Sequence, residues 1–357
     1  MEKINVCIVG CGRVSTLQAL GYQNNPLARI YAVCDTKEER AIRRAKEFGV
    51  KKIFTRYEDV LNDPQVDAIE LLVPHNLHCN MAIQACEHKK HISVQKPMAL
   101  SLAEANAMVD AADKSGVVFK ICENYIWYPP FMKMKELIDA GEIGEPTAIR
   151  IKSNSGSFEG GWEVEEDSWK WRMSDAQCGG GTLIFDDGYH KFSLARYLLG
   201  DIEKVFAWID KTDIIPDQYY IDAPAVISWK YKKPRLYGVM DAMYSGEMYM
   251  NTDYYACDER VEVTGSKGVV WVTRCTSKML QIPTVILYKN GQTIAFEGIK
   301  DDWACSFVNA TQDFIEGIAK GTPVSLTARD AREVLKFSLA AAKSAKTGRE
   351  VYLSEIE

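Results

Sequence analysis

The stretch VCIVGCGRVSTLQAL, Val6 to Leu20, constrains the fold more than any other part of the chain. A run of β-prone apolar residues enters a Gly-x-Gly turn and leaves it as a helix-like pattern. Gly10 suits a tight turn, and Gly12 lets the backbone come close to a pyrophosphate. The helix start beyond them offers amide donors and partial positive charge. Arg13 and Val14 carry the chain across this cofactor-facing turn. Ser15 stands where the full pattern has a third glycine or alanine. It is small enough for close helix packing, and its hydroxyl is expected within reach of a phosphate.

The next hundred residues decide whether the turn is a nucleotide grip. Strand patterns at 4–10, 28–35, 66–74, 91–97 and 117–125 alternate with helical patterns at 15–24, 37–48, 79–89 and 101–116. Short connections between alternating strands and helices predict a parallel sheet wound on both sides. Asp35 closes the second strand about twenty residues beyond the glycines, where a carboxylate accepts the ribose hydroxyls. The same carboxylate repels a 2′-phosphate, so Asp35 favours NAD over NADP, although Lys37 and Arg40 stand close by.

From residue 145 the pattern changes. Alternating segments at 146–155, 203–212, 222–232, 235–245, 259–264, 268–274 and 284–289 predict a large, mostly antiparallel open sheet, with a helix over 182–199 on one face. Asn290-Gly291 is a strong hairpin signal, because this pair adopts the twist that flanking strands need. The predicted fold is α/β: an N-terminal Rossmann, doubly wound parallel sheet plus a C-terminal α+β domain. The expected division is 1–123 for the NAD-binding domain and 124–357 for substrate binding and oligomerisation. A C-terminal helix over 327–346 is expected to pack back toward the first domain.

With 357 residues, two domains are the natural prior, and 47% hydrophobic with 26% charged residues reads as globular. A net charge of −6 without a Lys/Arg run argues against nucleic acid as a partner. No apolar stretch approaches the roughly 18 residues that span a bilayer, so no membrane partner is expected. The ten cysteines are scattered without paired spacing, which reads as reduced thiols in a cytoplasmic protein. His75 and His78 have a spacing compatible with a metal, but no third ligand is evident, and no metal is expected.

Several further segments resemble the Gfo/Idh/MocA family of oxidoreductases, which act mostly on sugars, cyclitols and their derivatives. VPHNLH at 73–78 is similar to the family's segment after its fourth strand, and QKPMALSLAEA from Gln95 resembles its Glu-Lys-Pro signature. GEIGEP from Gly141 resembles the start of its second domain. GGGTLIFDDGYHKFSLARYLLG from Gly179 is similar to its Asp-x-Gly-x-His helix. The stretch from Ser325 to Leu353 resembles its closing helix and strand. The resemblance covers essentially the whole chain.

It implies a cofactor site that includes Pro74, His75, His78, Gln95, Lys96 and Asn124, and a cis bond before Pro97. It also implies dimers or tetramers joined through the C-terminal sheet. Lys96 ends a strand on the side where such sheets bind ligands, and it can exchange a proton beside an oxidised nicotinamide. Gln95 departs from the family's glutamate, and a neutral amide supports the lysine's charge less. Asp186 and His190 are four apart and share one helical face. His190 is suited to take a hydroxyl proton as hydride leaves, with Asp186 orienting it or binding a neighbouring hydroxyl. Lys96 and His190 both remain candidates for the base.

Tyr125 leaves the last Rossmann strand, where substrate contact and hinge packing are both open readings. The segment 157–181 has no clean period but carries Phe158, Trp162, Trp169, Trp171 and Arg172. Aromatic faces stack on sugar rings and arginine hydrogen-bonds hydroxyls, so this loop is a candidate cover for the substrate. Glu163, Glu165, Glu166 and Asp167 form an acidic run expected to be solvated. The expected activity is NAD-dependent oxidation of a secondary ring hydroxyl of a sugar, glycoside or cyclitol, with the third ring carbon of a glycoside as one target. The alternatives are redox-assisted glycoside cleavage with recycled NAD, reduction as the working direction, and a non-catalytic dinucleotide sensor.

Overall fold

The computed structural model describes residues 2–157, 159, 161–162, 165, 169–215 and 219–357. Phe158, Glu163, Glu166 and Asp167 lie outside the described residues. The chain separates into two compact units, one of 1–124, 166–179 and 307–335, the other of 125–165, 180–306 and 336–357. Both units are therefore discontinuous, unlike the contiguous division at 123/124.

The first unit starts with β1 (Ile4–Val9), α1 (Ser15–Tyr22), β2 (Ala28–Cys34) and α2 (Glu38–Phe48). It continues with β3 (Lys52–Phe54), α3 (Tyr57–Asn62), β4 (Ala68–Leu71), α4 (His78–Glu87), β5 (His91–Gln95), α5 (Leu102–Ser115) and β6 (Phe119–Cys122). The strands form a parallel sheet in the order β3-β2-β1-β4-β5-β6. That is the doubly wound order, with its reversal between β1 and β4, where such folds bind ligands at the strands' carboxyl ends. The short β3 and α3 carry too few residues to show a period in the sequence.

Local chemistry sets the boundaries. The Ser101 side chain accepts the Glu104 amide while Glu104 reaches back to the Ser101 amide, a reciprocal cap that starts α5. Val6, Ile8, Ala19, Tyr22, Val33 and Ala41 pack with Phe314 and Ile315 in one apolar core. The stretch 307–335 is also tied to β6 by polar bonds. Lys120 reaches the Asp313 carboxylate at 2.6 Å and the Ala310 carbonyl, and the Ile121 amide donates to the Leu326 carbonyl at 3.1 Å.

The second unit contains α6 (Pro129–Asp139), β7 (Pro146–Ser155), α7 (Gly188–Leu199), β8 (Ile202–Ile209), β9 (Thr212–Ile215) and β10 (Tyr219–Ile221). It continues with β11 (Ala225–Tyr231), β12 (Tyr237–Tyr244), β13 (Cys257–Gly265), β14 (Gly268–Val272), β15 (Val285–Lys289) and β16 (Gln292–Phe296). Helices α8 (Ala304–Lys320) and α9 (Ala328–Thr347) each begin in one unit and end in the other. Strand β17 (Val351–Tyr352) closes the series. The main sheet runs β16-β15-β14-β13-β7-β12-β11-β8-β17, with only the β12–β7 pair parallel. Asn290 and Gly291, at φ 51° and 75°, make the expected hairpin turn between β15 and β16.

The expected continuous helix over 182–199 is instead two pieces. Residues Thr182–Asp187 form a π-helical turn, and α7 starts only at Gly188. Asp222 caps this turn: its carboxylate accepts the Leu183 amide at 2.7 Å and the Ile184 amide at 2.8 Å. A side chain at Gly181 would place its Cβ 2.3 Å from that carboxylate, so glycine is required there. No helix among the described residues is long and apolar enough to cross a membrane, and all ten cysteines are free thiols.

Candidate functional site

The opening turn is built around backbone contacts. Gly10 has φ 98°, and a Cβ there would sit 2.2 Å from the Leu72 carbonyl oxygen, so no other residue fits. A Cβ on Gly12, by contrast, would meet nothing within 4 Å. The open face at Gly12 is the space a pyrophosphate would use. Helix α1 has no acidic residue in its first turn to cancel its positive end.

Asp35 holds the turn from outside. Its carboxylate accepts the Cys11 amide at 2.8 Å and the Lys37 amide at 2.9 Å, one on each oxygen. Each oxygen keeps a second lone pair for a ribose hydroxyl. Ser15 corrects the sequence reading. It is buried, its hydroxyl donates to the Gly12 carbonyl at 2.6 Å and it accepts the Arg44 Nε proton at 3.1 Å. That hydroxyl shapes the turn and does not reach out to a phosphate. Arg44, unmarked by any motif in the sequence, also contacts the Gly12 carbonyl at 3.3 Å. Arg13 is exposed and Val14 half-buried.

The ends of β4, β5 and β6 carry the next group. Pro74 leads into a single turn, His75–Leu77. His78 is fully buried, with Nδ1 2.8 Å from the Pro97 carbonyl and Nε2 2.9 Å from the Val73 carbonyl. It therefore bridges the loops after β4 and β5. Lys96 is half-buried directly after β5, and its amide donates to the Gln95 side-chain oxygen at 2.9 Å. The Lys96–Pro97 bond is cis, in agreement with the family resemblance. Asn124 is buried just past β6.

His75 is also buried, and its Nδ1 lies 2.8 Å from the Cys178 carbonyl. Its ring meets Trp171 edge-on at 4.7 Å, and the Arg172 guanidinium lies over that indole at 4.3 Å. This contact set explains why 166–179 belongs to the first unit. Trp169 precedes the turn Lys170–Met173 and is half-buried, as is Arg172.

In the second unit, Asp186 and His190 are both buried. Asp186 lies in the π turn, its amide donating to the Gly181 carbonyl at 3.0 Å, and His190 lies in the first turn of α7. The imidazole stacks on the Tyr125 ring, centroids 4.2 Å apart and planes 17° apart. Tyr125 is 1% exposed, and its hydroxyl donates to Glu259 Oε1 at 2.6 Å and meets the Tyr255 hydroxyl. It touches His190 with its face while its hydroxyl is engaged elsewhere. Trp162 packs among aromatics, its ring 5.6 Å from Tyr254 and 6.0 Å from Trp303.

Sequence reasoning thus missed Asp222, Glu259 and Arg44. Arg44 and Glu259 act across a long sequence separation on Ser15 and Tyr125, and Asp222 on the turn that carries Asp186. The structure gathers the cofactor candidates in the first unit, and Tyr125, Trp162, Asp186 and His190 in the second.

The comparisons with known proteins agree with this architecture. Residues 4–122 match the model of the Gfo/Idh/MocA oxidoreductase family with an NAD-binding Rossmann fold, and residues 131–271 match that family's C-terminal domain. The myo-inositol 2-dehydrogenase of Thermotoga maritima is 26% identical over 358 residues, covering 99% of each chain. An oxidoreductase from Agrobacterium radiobacter, solved with NAD+, L-tartaric acid and magnesium, superposes with a TM-score of 0.85 at 20% identity and full coverage of both chains. A levoglucosan dehydrogenase solved with NADH and levoglucosan gives 0.83 at 21% identity, covering 99% of this chain and all of the other.

The chain belongs to the Gfo/Idh/MocA family and is an NAD-binding oxidoreductase. The residues present fit that cofactor: an open approach at Gly12, an uncancelled helix terminus, and a carboxylate at Asp35 with a lone pair left on each oxygen.

Proposed function

We propose that the protein oxidises a secondary ring hydroxyl of a sugar, glycoside or cyclitol. The observation that carries this reading is a lysine at the carboxyl end of β5 in a Rossmann sheet whose relatives include an inositol dehydrogenase. NAD, when bound, would supply the hydride acceptor for the carbinol carbon. Gly10, Gly12, Arg13, Val14 and Asp35 would hold its adenosine and phosphates, and Pro74, His75, His78, Gln95, Lys96 and Asn124 would serve its nicotinamide end. His78 acts there by bracing the two loops.

Lys96 and His190 handle the hydroxyl proton, and Asp186 orients the substrate or the imidazole. A histidine suits this work because its unperturbed titration lies near physiological pH. Trp162, Trp169 and Arg172 supply stacking and hydrogen bonds for the ring, and Tyr125 supports His190. Residues 1–123 serve the cofactor and 124–357 the substrate and oligomer contacts. A homodimer or homotetramer forms through the main C-terminal sheet, and the ten free thiols suit the reducing cytoplasm.

The test is NADH formation from NAD with myo-inositol, scyllo-inositol, levoglucosan, D-apiose and aryl glycosides, with released aglycone followed in parallel. Stoichiometric NADH without aglycone supports simple oxidation. Aglycone release without net NADH moves the assignment to glycoside cleavage with recycled cofactor. NAD binding with no turnover of any ring substrate in either direction moves it to a sensor. Lys96→Met and His190→Ala are each expected to lower turnover about 10²–10⁴-fold, with far smaller effects on NAD binding.

A further inference from the structure

Behind His190 lies a buried charge cluster that the proposed reaction does not use. Lys191, 2% exposed, places its ammonium 2.6 Å from Asp187 and 2.6 Å from Glu259, which is 3% exposed on β13. Burial alone would push Lys191 down, but the two carboxylates hold it above its ordinary value. Glu259 Oε1 receives both this ammonium and the Tyr125 hydroxyl, while Oε2 has no hydrogen-bond partner among the described residues.

We propose that Glu259 is a positioning residue for His190 and acts through Tyr125. This rests on the reading of His190 as a proton carrier. The ammonium of Lys191 fixes the carboxylate, and the carboxylate fixes the phenol. The Tyr255 hydroxyl meets the same phenol oxygen, so the Tyr125 ring has little freedom to slide or turn. Its face then sets the plane of the imidazole, 4.2 Å away. A near-parallel stack restrains tilt while the ring nitrogens stay at the edge, where proton transfer occurs.

Among the described residues of the second unit, the charged and titratable groups around this stack include Asp222, whose carboxylate caps the π turn and acts on Asp186. Asp186, Asp187 and Lys191 share the imidazole's own helical segment, with Tyr125 on the stacking turn. Tyr255, Cys257 and Glu259 come from β13 and its lead-in, and Cys275 follows β14. The Cys275 thiol is pushed well up, first by burial and then by the Glu259 charge. One ammonium against the two carboxylates it binds leaves a negative surplus that favours an imidazolium. Removing the Glu259 charge therefore makes His190 release its proton more readily.

The test uses the full-length protein, with and without NAD, labelled with ¹⁵N-histidine. The His190 signal is assigned by its loss in His190→Gln. Tyr125→Leu is expected to move the His190 ring protons downfield, as loss of the ring current requires. Glu259→Gln is expected to lower the His190 titration midpoint and leave the exposed His88 unmoved. With myo-inositol and levoglucosan as probes, Tyr125→Leu is expected to cut kcat about 10²-fold while the KM for NAD holds. Tyr125→Phe keeps the ring but cuts its tie to Glu259, so it should shift the His190 ring protons and lower kcat about 10-fold, less than Tyr125→Leu.

Unchanged His190 shifts and midpoint in folded Glu259→Gln and Tyr125→Leu would overturn the proposal. If Tyr125→Leu does not fold, Glu259→Gln and Tyr125→Phe decide it by the same signals. Intact turnover in His190→Ala would sink the reading of His190 as proton carrier, and the resonance data would still judge the positioning role.

Discussion

Each unit buries a glutamate in a strand, and the two are handled differently. Glu70 on β4 is 1% exposed and accepts the Tyr22 hydroxyl at 2.5 Å and the Ser93 hydroxyl at 3.1 Å. Glu259 on β13 accepts a tyrosine hydroxyl as well, but adds the Lys191 ammonium. The cation that acts on Glu70, Lys120, spends its charge on Asp313 at 2.6 Å. Burial pushes Glu70 up to about 7, against the pull of Tyr22, Ser93, Lys120 and the Cys122 thiol. Neutral donors can solvate a buried carboxylate without making its charge cheap, whereas a buried ammonium changes the local balance of charge.

The sharpest way to break this comparison is to remove the cation. Lys191→Met leaves Asp187 and Glu259 without their shared partner and should cost about 3–5 kcal/mol, read by urea unfolding at pH 7. A loss below about 1 kcal/mol would mean that the carboxylates find other compensation. The next effect belongs to Glu70. Between its ordinary value of 4.5 and about 7, the folded protein holds a proton that the unfolded chain releases. Stability from this group is therefore fully present below the ordinary value and is lost as pH rises through about 7, by on the order of 3 kcal/mol. Glu70→Gln should flatten the decline in unfolding free energy measured from pH 5 to pH 8. An unaltered slope would put the proton elsewhere.

Smaller changes separate the two tyrosines. Tyr22→Phe removes a donor that pulls Glu70 down, so the folded-state titration of Glu70 should move up, with a loss of about 1 kcal/mol at pH 8. Tyr125→Phe leaves Lys191 on its carboxylate and should cost no more than that. Ser93→Ala gives the smallest effect, about 0.5–1 kcal/mol, visible as a modest drop in Tm. If Ser93→Ala outweighs Tyr22→Phe, the serine is the main donor and the ranking of the two bonds reverses.

The amino-acid sequence by itself determined the strand–helix alternation of residues 1–123, the place of the Gly10–Gly12 turn, the start of α5 at Ser101 and the hairpin at Asn290-Gly291. These rest on neighbours within a few residues: a 2.0 or 3.6 period, a side chain that caps three residues ahead, a backbone twist that Asn-Gly prefers. It also marked Lys96, Asp186 and His190, because their spacing sits inside recognisable segments. Only the tertiary structure decided what those residues touch. It turned Ser15 inward onto Arg44, capped the π turn of 182–187 with Asp222, and set Tyr125 between Glu259 and His190. Ser15 and Arg44 are 29 residues apart, Leu183 and Asp222 39, and Tyr125 and Glu259 134. Such contacts leave no periodic trace in the chain. The strength of a buried charge depends on which groups the fold brings to it and how much water it removes.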